Sequence, residues 1–277
     1  MIYGSLPSYT RQRQAELFNE ENNNFDILIA TDAVGMGMNL NIRRVVFSSF
    51  LKYDRYGQHQ ISASQVKQIA GRAGMRGSPY HHGLCTTLED CDLQYLRHCL
   101  EKPLGDMQQM GLFPLYEHLN SFMNLAKEKL EFYNMLTRFK ESSCMDDEYF
   151  MCDVEQFETV AFALRSISTG LSFKERFNFC MAPVNIKNRD VMRHLCIFAE
   201  LYSKNLPITF SIELDTTSSI EDERDLMVLE TYNQILTVYI WLSQQLDIQR
   251  FTQIKEAEMI ISNINSSISN FLFKAVK

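Results

Sequence analysis

The chain has 277 residues, of which 45% are apolar, so it is long enough and apolar enough for a folded core and two domains. A formal net charge of −7 excludes a uniformly basic nucleic-acid binder. Residues 1–80 nevertheless hold nine Lys and Arg against six Asp and Glu, a balance of +3 that leaves −10 for residues 81–277, so an anionic ligand is expected to prefer the first part.

The first ninety residues alternate between helix and strand signals. SYTRQRQAELF predicts a helix with Ser8 or Thr10 near its N-cap, and FDILIA is an unbroken apolar run typical of a parallel strand buried on both faces. RRVVFSSF and GLCTTL predict two further strands, and between them Ser62 or Ser64 caps a helix through QVKQIAGRAG. This order predicts an α/β domain whose ligands bind in the loops at the strand ends.

Beyond EKPLGD the strand signal fades, and residues 112–277 are mostly amphipathic helices. The long segment DLMVLETYNQILTVYIWLSQQL has the 3- and 4-residue spacing of a buried face, carried by Leu229, Tyr232, Ile235, Leu236, Tyr239 and Leu242. Ser219 and Asp222 predict a capping box for this helix. The pattern predicts a domain over 1–106 and a helical region in two parts, 107–214 and 215–277.

Cysteine usage favours a reducing compartment. The seven cysteines are odd in number, include no C-x-x-C pair and lie among apolar residues, as buried free thiols do. HHGLC brings His81, His82 and Cys85 close together, but without a second ligand pair we interpret it as a surface histidine pair leading into a strand. No metal site is predicted.

The segment TDAVGMGMNL directly follows the first expected strand. Thr31 and Asp32 offer a hydroxyl and a carboxylate there, and Gly35 and Gly37 let backbone amides approach a ligand closely. A nucleotide or a phosphate backbone would suit such a loop. Alone, the segment is better explained as a plain tight turn.

The segment QIAGRAGMRGS, Gln68 to Ser78, adds Arg72 and Arg76 among three glycines. The planar guanidinium stays charged and can donate two hydrogen bonds to phosphate oxygens, which suits a phosphoryl group in transfer. A basic surface turn at a helix end is the structural alternative.

Together these segments resemble a known family. ILIATDAVGMGMNLNIRRVVF, followed by SQVKQIAGRAGMRG, is similar to the fifth and sixth motifs of superfamily-two helicases, in the second of their two RecA-like domains. IYGSLPSYTRQRQAELFNE, GLFPLYEHL, YFMCDVEQF, FCMAPVNIKN and DLMVLETYNQILTVYIWLS extend the resemblance to the mitochondrial degradosome RNA helicases of the suppressor-of-Var type. The implied fold is a partial RecA-like parallel-sheet domain followed by a largely helical region.

The resemblance implies a role for each motif residue. Thr31 and Arg11 would contact RNA phosphates, and Gln68 would approach the γ-phosphate. Arg72 and Arg76 would act on the transferring phosphoryl group, with Arg72 as the arginine finger. The residues expected to line the nucleotide site are Asp32, Gly35, Gly37 and Asn39.

Two departures from the family pattern qualify these roles. The sequence contains no G-x-x-x-x-G-K-[ST] and no Asp-Glu-x-His box. ATP and Mg²⁺ are therefore expected to bind mainly to a first RecA-like domain that this chain lacks. The second RecA-like domain is expected to be truncated at its start. Met75 stands where the second arginine is expected, with Arg76 one residue later. In a continuing helix Arg76 would point about 100° away; alternatively, Gly74 and Gly77 unwind the turn and Arg76 reaches the same site.

The predicted function is therefore the C-terminal part of an ATP-dependent 3′ to 5′ RNA helicase in mitochondrial RNA turnover, inactive by itself. The resemblance implies RNA and an exoribonuclease as partners, and the mitochondrial matrix, with the nucleus a further location. The first residues are not expected to form a targeting peptide, and no apolar run reaches the ~20 residues of a membrane helix. A non-catalytic module that binds RNA or a partner is the main alternative, and a DNA helicase is the weaker one.

Overall fold

The structure is a computed structural model that describes residues 1–21, 23, 25–35, 37–54, 57–75, 77–125, 131–167, 170–212, 220 and 222–274. The chain forms two compact units. Unit 1 contains Met1–Asp106 and the residues from Ser269 on, and unit 2 contains Met107–Ile268. The expected class, α/β with short parallel strands followed by a helical region, is confirmed.

Unit 1 mixes helices and short strands. Its elements are α1 (Ser8–Asn19), β1 (Arg44–Phe47), β2 (Leu51–Asp54), β3 (Gly57–Gln60), α2 (Ala63–Ala70), β4 (Leu84–Thr87) and α3 (Leu93–Glu101). Strands β1 and β4 pair in parallel, from Arg44 opposite Leu84 to Phe47 opposite Thr87, whereas β2 and β3 form an antiparallel hairpin that the sequence reasoning missed.

The helices α2 and α3 cover one side of the β1–β4 pair. Val66 of α2 and Leu96 and Cys99 of α3 are buried against Phe47 and Phe50. The two phenylalanine rings stack with their centroids 4.9 Å apart. This apolar cluster fixes the end of α2, and hence the start of the arginine-containing turn, relative to the sheet.

The expected strand in FDILIA is not formed as predicted. The segment is extended, but its only ladder contact among the described residues is with Ile2, whose N–H donates to the Ile29 carbonyl at 2.9 Å. Ile27 and Ile29 are 79% and 63% exposed, so the segment is not buried on both faces. An apolar run predicts a buried strand only where other elements cover both faces, and the described residues leave this one open.

Helix α1 has the predicted position, and Ser8 lies next to its N-cap, as expected, but neither Ser8 nor Thr10 caps it. The N-cap residue is Pro7, with no capping hydrogen bond from a side chain. The Ser8 hydroxyl instead accepts a hydrogen bond from the Arg11 guanidinium at 3.1 Å, and Thr10 is buried. Helix α2 begins as predicted, with Ser62 and Gln65 forming a capping box.

Unit 2 is mostly helical. Its elements are β5 (Met110–Leu112), α4 (Tyr116–Leu125), α5 (Phe132–Ser142), β6 (Tyr149–Met151), α6 (Glu155–Ala163), α7 (Phe173–Met181), α8 (Arg189–Ser203), α9 (Glu223–Gln245) and α10 (Ile254–Lys274), whose last residues belong to unit 1. The short strands β5 and β6 pair in parallel.

Helix α9 is the centre of unit 2, as its apolar spacing predicts. Its predicted face is confirmed in part: Ile235, Leu236, Tyr239 and Leu242 are buried, whereas Leu229 and Tyr232 are only half-buried. The Tyr239 hydroxyl donates to the Ile208 carbonyl at 2.9 Å, so its polar end is satisfied. The predicted capping box is wrong in its residues: Asp222 is itself the N-cap and forms the box with Asp225, and Ser219 lies outside the described residues.

All seven cysteines are free, as expected, but not all of them are buried. Cys99 and Cys180 are buried, whereas Cys91 and Cys144 are exposed. Burial raises the pKa of the Cys180 thiol well above its ordinary value, which keeps it protonated and unreactive. Within the described residues, no helix combines the length and apolar character needed to cross a membrane.

Helix α7 provides a pH-dependent contribution to stability. Burial of the Glu175 carboxyl opposes its ionisation, but hydrogen bonds from Ser172 and Tyr202 and the charge of Arg250 outweigh this and lower its pKa below 4.5. Ionised Glu175 also completes the capping box with Ser172. Its stabilising effect is therefore complete above pH 4.5 and is lost as the pH falls through the lowered pKa.

We predict that Glu175→Gln, which keeps the capping hydrogen bonds but cannot ionise, lowers the free energy of unfolding at pH 7 by at most about 1 kcal/mol, because the partly exposed carboxylate is screened by solvent. Urea denaturation at a series of pH values measures the difference between wild type and variant. The difference is expected to be constant above pH 5.5 or so and to shrink below the ordinary carboxyl pKa. A difference that grows as the pH falls would contradict this assignment.

Candidate functional site

The first part of the site is a glycine loop, here the described residues 31–35 and 37–40. It follows the extended FDILIA segment and begins with a short 3₁₀ turn, Asp32–Gly35. The Thr31 N–H donates to the Ile2 carbonyl at 3.0 Å, while the residue itself is exposed. Gly37 has φ +74°, a conformation that favours glycine. The loop therefore turns sharply after presenting the Thr31 and Asp32 side chains to solvent.

The Asp32 carboxylate forms an ion pair with the Lys52 ammonium from the β2–β3 hairpin. The two side chains are 45% and 39% exposed, so water and salt screen the attraction and it adds little to stability. The ion pair instead positions the Lys52 ammonium, a positive charge, beside the loop that is expected to bind nucleotide.

The far end of the glycine loop is held by Asn19, at the end of α1. Its side-chain amide donates to the Asn39 carbonyl at 2.8 Å and its side-chain oxygen accepts from the Asn41 N–H at 2.7 Å. Asn39 itself is exposed. The loop is thus anchored at both ends by unit 1, which limits the positions that its backbone can adopt.

The second part of the site is the arginine turn, residues 71–75. Helix α2 ends at Ala70, so the expected continuation of the helix through Arg72 is wrong. The Gly74 N–H donates to the Ile42 carbonyl at 2.9 Å, and Gly74 has φ +65°. A β-carbon on Gly74 would lie 2.2 Å from the Gly83 backbone nitrogen, so the two glycines allow a direct backbone contact.

Arg72 joins the two parts. Its Nε and one terminal nitrogen both donate to the Gly35 carbonyl, the former at 3.1 Å. The other terminal nitrogen donates to the Met38 carbonyl at 3.0 Å and lies 3.7 Å from the Met75 sulfur. We call this set of contacts the Arg72 clasp. It directs the guanidinium at the backbone of the glycine loop.

Gln68 is brought close to the same loop. A β-carbon built on Gly35 would lie 3.4 Å from a side-chain carbon of Ile69 and 3.9 Å from Cγ of Gln68. Gln68 is exposed in the last turn of α2. Gly35, Gln68 and Arg72, singled out from two separate motifs, therefore form one cluster.

Other predicted residues lie outside this cluster. Among the described residues, Arg11 makes its guanidinium contact with Ser8 on its own helix, so no contact brings it to the glycine loop. Arg76 lies outside the described residues, and its predicted role stays a prediction. The described part of the chain contains no group of three His, Cys, Asp or Glu side chains that could hold a metal ion.

The arrangement is suited to an anionic ligand of moderate size. Arg72 and Lys52 bring two cations to the loop, each already bonded within the chain, Thr31 supplies an exposed hydroxyl, and the exposed Gly37 leaves its backbone open to a ligand. Phosphate oxygens accept hydrogen bonds from all three kinds of group.

Sequence reasoning missed Lys52 and Asn19. The glycine at position 57 was an available signal in the sequence for the hairpin that carries Lys52, and in the structure it has φ +102°. Nothing in the sequence places that hairpin beside Asp32, because the contact spans 20 positions and depends on the fold. The same is true of the contact between Asn19 and the Asn39 carbonyl.

Comparisons with known families give two matches. Residues 1–77 match the helicase conserved C-terminal domain, which contains both the glycine loop and the arginine turn. Residues 159–203 match the Suv3 C-terminal domain 1, which lies within unit 2.

Individual relatives extend the similarity along the chain. The mitochondrial ATP-dependent RNA helicase SUV3L of Oryza sativa subsp. japonica is 45% identical over 275 residues, which is 99% of this chain and 37% of the relative. The DExH-box ATP-dependent RNA helicase DExH18, mitochondrial, of Arabidopsis thaliana is 44% identical over 99% of this chain and 35% of its own length. The human mitochondrial ATP-dependent RNA helicase SUPV3L1 is 38% identical over 88% of this chain and 32% of its own length. The chain thus spans about a third of the length of these relatives.

We predict that Gly74→Ala lowers the free energy of unfolding more than Gly77→Ala does. Both residues have positive φ, +65° and +87°, which costs alanine about 1–2 kcal/mol. A β-carbon on Gly77 meets no atom within 4 Å, whereas one on Gly74 strikes the Gly83 backbone, so a further penalty of about 1–3 kcal/mol is expected. Urea denaturation of both variants measures the difference. Equal changes in the free energy of unfolding would show that the backbone around Gly83 moves aside without loss of stability.

Proposed function

We propose that this chain, which corresponds in sequence to a C-terminal part of the Suv3-type RNA helicases, forms the second RecA-like domain and the helical region of an ATP-dependent 3′ to 5′ RNA helicase. The observation that carries the proposal is the Arg72 clasp, which unites two helicase motifs in one cluster with Gln68 beside it. We assign residues 1–106 to the RecA-like domain and residues 107–214 and 215–277 to the helical region. The boundary between units after Asp106 supports the first division.

In the proposed enzyme the cluster faces the nucleotide. Asp32, Gly35, Gly37 and Asn39 line the nucleotide site, and Gln68 approaches the γ-phosphate. Arg72 stabilises the charge of the transferring phosphoryl group, and we assign Arg76 to the same charge. A guanidinium suits that role because it is charged and can donate to several phosphate oxygens at once.

Binding of ATP and Mg²⁺ also requires groups that this sequence does not contain, namely a phosphate-binding P-loop and a carboxylate pair. We assign those groups to a first RecA-like domain. The Mg²⁺ ion would neutralise charge on the β- and γ-phosphates, and this chain would add its arginines from the opposite side of the nucleotide.

RNA contacts are assigned to Thr31 and Arg11 in unit 1. Thr31 is exposed, and Arg11 lies on α1. Both belong to residues 1–80, whose net charge is +3. Both are suited to phosphate oxygens, so the contacts would be independent of RNA sequence. The names of the relatives support a mitochondrial location; we further propose the matrix, RNA turnover and an exoribonuclease partner.

A second function is favoured by one specific observation. Met75 replaces an arginine that the family pattern leads one to expect. This replacement would suit a module that binds RNA or a partner protein and has lost the motor. The ATPase measurement below separates the two functions.

We predict that the 277-residue chain alone has no RNA-stimulated ATPase, because it supplies arginines but no P-loop. Joined to an intact first RecA-like domain of a Suv3-type helicase, it is expected to give RNA-stimulated turnover, measured as phosphate release. Arg72→Ala should then reduce turnover by on the order of 10³-fold, the contribution of an arginine finger.

The matched control is Arg97→Ala, which removes an exposed arginine from α3. It should leave turnover unchanged. ATPase activity of the chain alone would contradict the division of labour between two domains. A joined protein that binds RNA but has no turnover would favour the non-catalytic module.

We also predict that RNA binding by the chain is weak, strongly salt-dependent and confined to residues 1–80. Neutralising phosphates releases counterions, so affinity falls as the salt concentration rises. Arg11→Ala should reduce the salt slope by about 1. Binding of a single-stranded oligonucleotide, followed by fluorescence anisotropy at several salt concentrations, measures the slope.

Arg13→Ala is the control for Arg11→Ala, because Arg13 lies on the same helix but forms ion pairs with Glu16 and Glu20 at 3.4 and 3.6 Å. It should change the slope little. Crosslinks that map RNA only to residues 112–277 would show that the charge argument selects the wrong surface.

A further inference from the structure

We infer that Arg72 is held in a resting position by the Arg72 clasp, and that Met75 keeps it there. In this position the guanidinium is committed to the chain's own backbone, so a phosphate could engage it only after the clasp opens. The inference concerns the resting conformation of unit 1 and does not depend on the proposed helicase activity.

The clasp satisfies most of the guanidinium. Nε and both terminal nitrogens donate to carbonyl oxygens, to Gly35 and Met38, from a half-buried position. These carbonyls lie 37 and 34 positions before Arg72, so the contacts join separate segments. Hydrogen bonds to a charged donor are stronger than neutral ones, and they fix both partners in place. The clasp is therefore a specific contact between two motifs.

Met75 completes the clasp on its remaining side. Its sulfur lies 3.7 Å from the same terminal nitrogen that donates to Met38. A thioether is neutral, polarisable and a weak acceptor, so it can lie against a cation without repelling it. The backbone there is also constrained, since the Ser78 N–H donates to the Met75 carbonyl at 2.9 Å.

An arginine at position 75 would change this balance. It would bring a second positive charge against the Arg72 guanidinium, and like charges at such short range repel. It would also compete for the carbonyl acceptors of the glycine loop. The methionine of this chain therefore favours the closed clasp, whereas the arginine of the family pattern would favour a free Arg72.

The test is the side-chain Nε–H signal of Arg72 in nitrogen-15 NMR spectra of the 277-residue chain, assigned by its loss in Arg72→Lys. Hydrogen-bonded N–H groups exchange slowly with water, and exposed ones exchange fast. In the wild type the Arg72 signal is expected to be protected. Met75→Leu, which keeps a neutral side chain of similar size, is the matched control and should leave that protection within threefold of wild type.

Met75→Arg is expected to accelerate exchange of the Arg72 Nε–H at least tenfold, with the thermal unfolding midpoint recorded to show that the chain remains folded. Exchange within twofold of wild type in folded Met75→Arg would overturn the role of Met75. An unprotected Arg72 signal in the wild type would overturn the clasp itself.

A second variant keeps the test independent of Met75. Arg72→Lys retains the charge, but one ammonium cannot reproduce the planar fork that spans the two carbonyl groups. Backbone amide exchange of Val34, whose N–H donates to the Thr31 carbonyl at 3.2 Å within the glycine loop, should then accelerate at least tenfold, while that of Val66 in α2 stays unchanged. Unchanged exchange in the glycine loop would show that the clasp does not hold it, even if Met75→Arg failed to fold.

Discussion

A single guanidinium connects the two motifs of unit 1. Arg72 takes its acceptors from the carbonyls of Gly35 and Met38, and its position is set by the end of α2, which is packed through Val66 into the core of unit 1. The glycine loop has no regular structure of its own beyond one 3₁₀ turn. Its shape near the candidate site therefore depends on the rest of unit 1: Arg72 binds its middle and Asn19 its far end, and Val34 and Leu40 are buried in the core.

This dependence explains why the cluster forms from residues far apart in sequence. Packing of α2 and α3 on β1 and β4 holds the arginine turn at the edge of the sheet. The hairpin β2–β3 then brings Lys52 to Asp32 from a third segment. A phosphate-bearing ligand would thus meet groups from three segments, and a change in any one of them would alter the site without touching the ligand.

Much of this organisation could be predicted from the residues. The apolar spacing of α9 and the capping signal at Ser62 depend on local chemistry, and the first was confirmed in part and the second in full. The prediction of a buried strand in FDILIA was wrong, because an apolar run does not reveal whether another element covers Ile27 and Ile29. Lys52 could not be found, because a cross-segment ion pair depends on where the hairpin folds. The residue types in the motifs predicted phosphate chemistry, but not that Arg72 would point at its own backbone.

The contact between Gly74 and Gly83 restricts how this protein can change over evolutionary time. A β-carbon on either residue would strike the backbone of the other segment, at 2.2 Å in both cases. Most core clashes can be relieved when the partner mutates to a smaller side chain, but here neither position has a side chain to reduce. A substitution at one glycine has no compensating substitution at the other. The pair should therefore vary less among functional sequences than the exposed residues around it, whichever ligand the site binds.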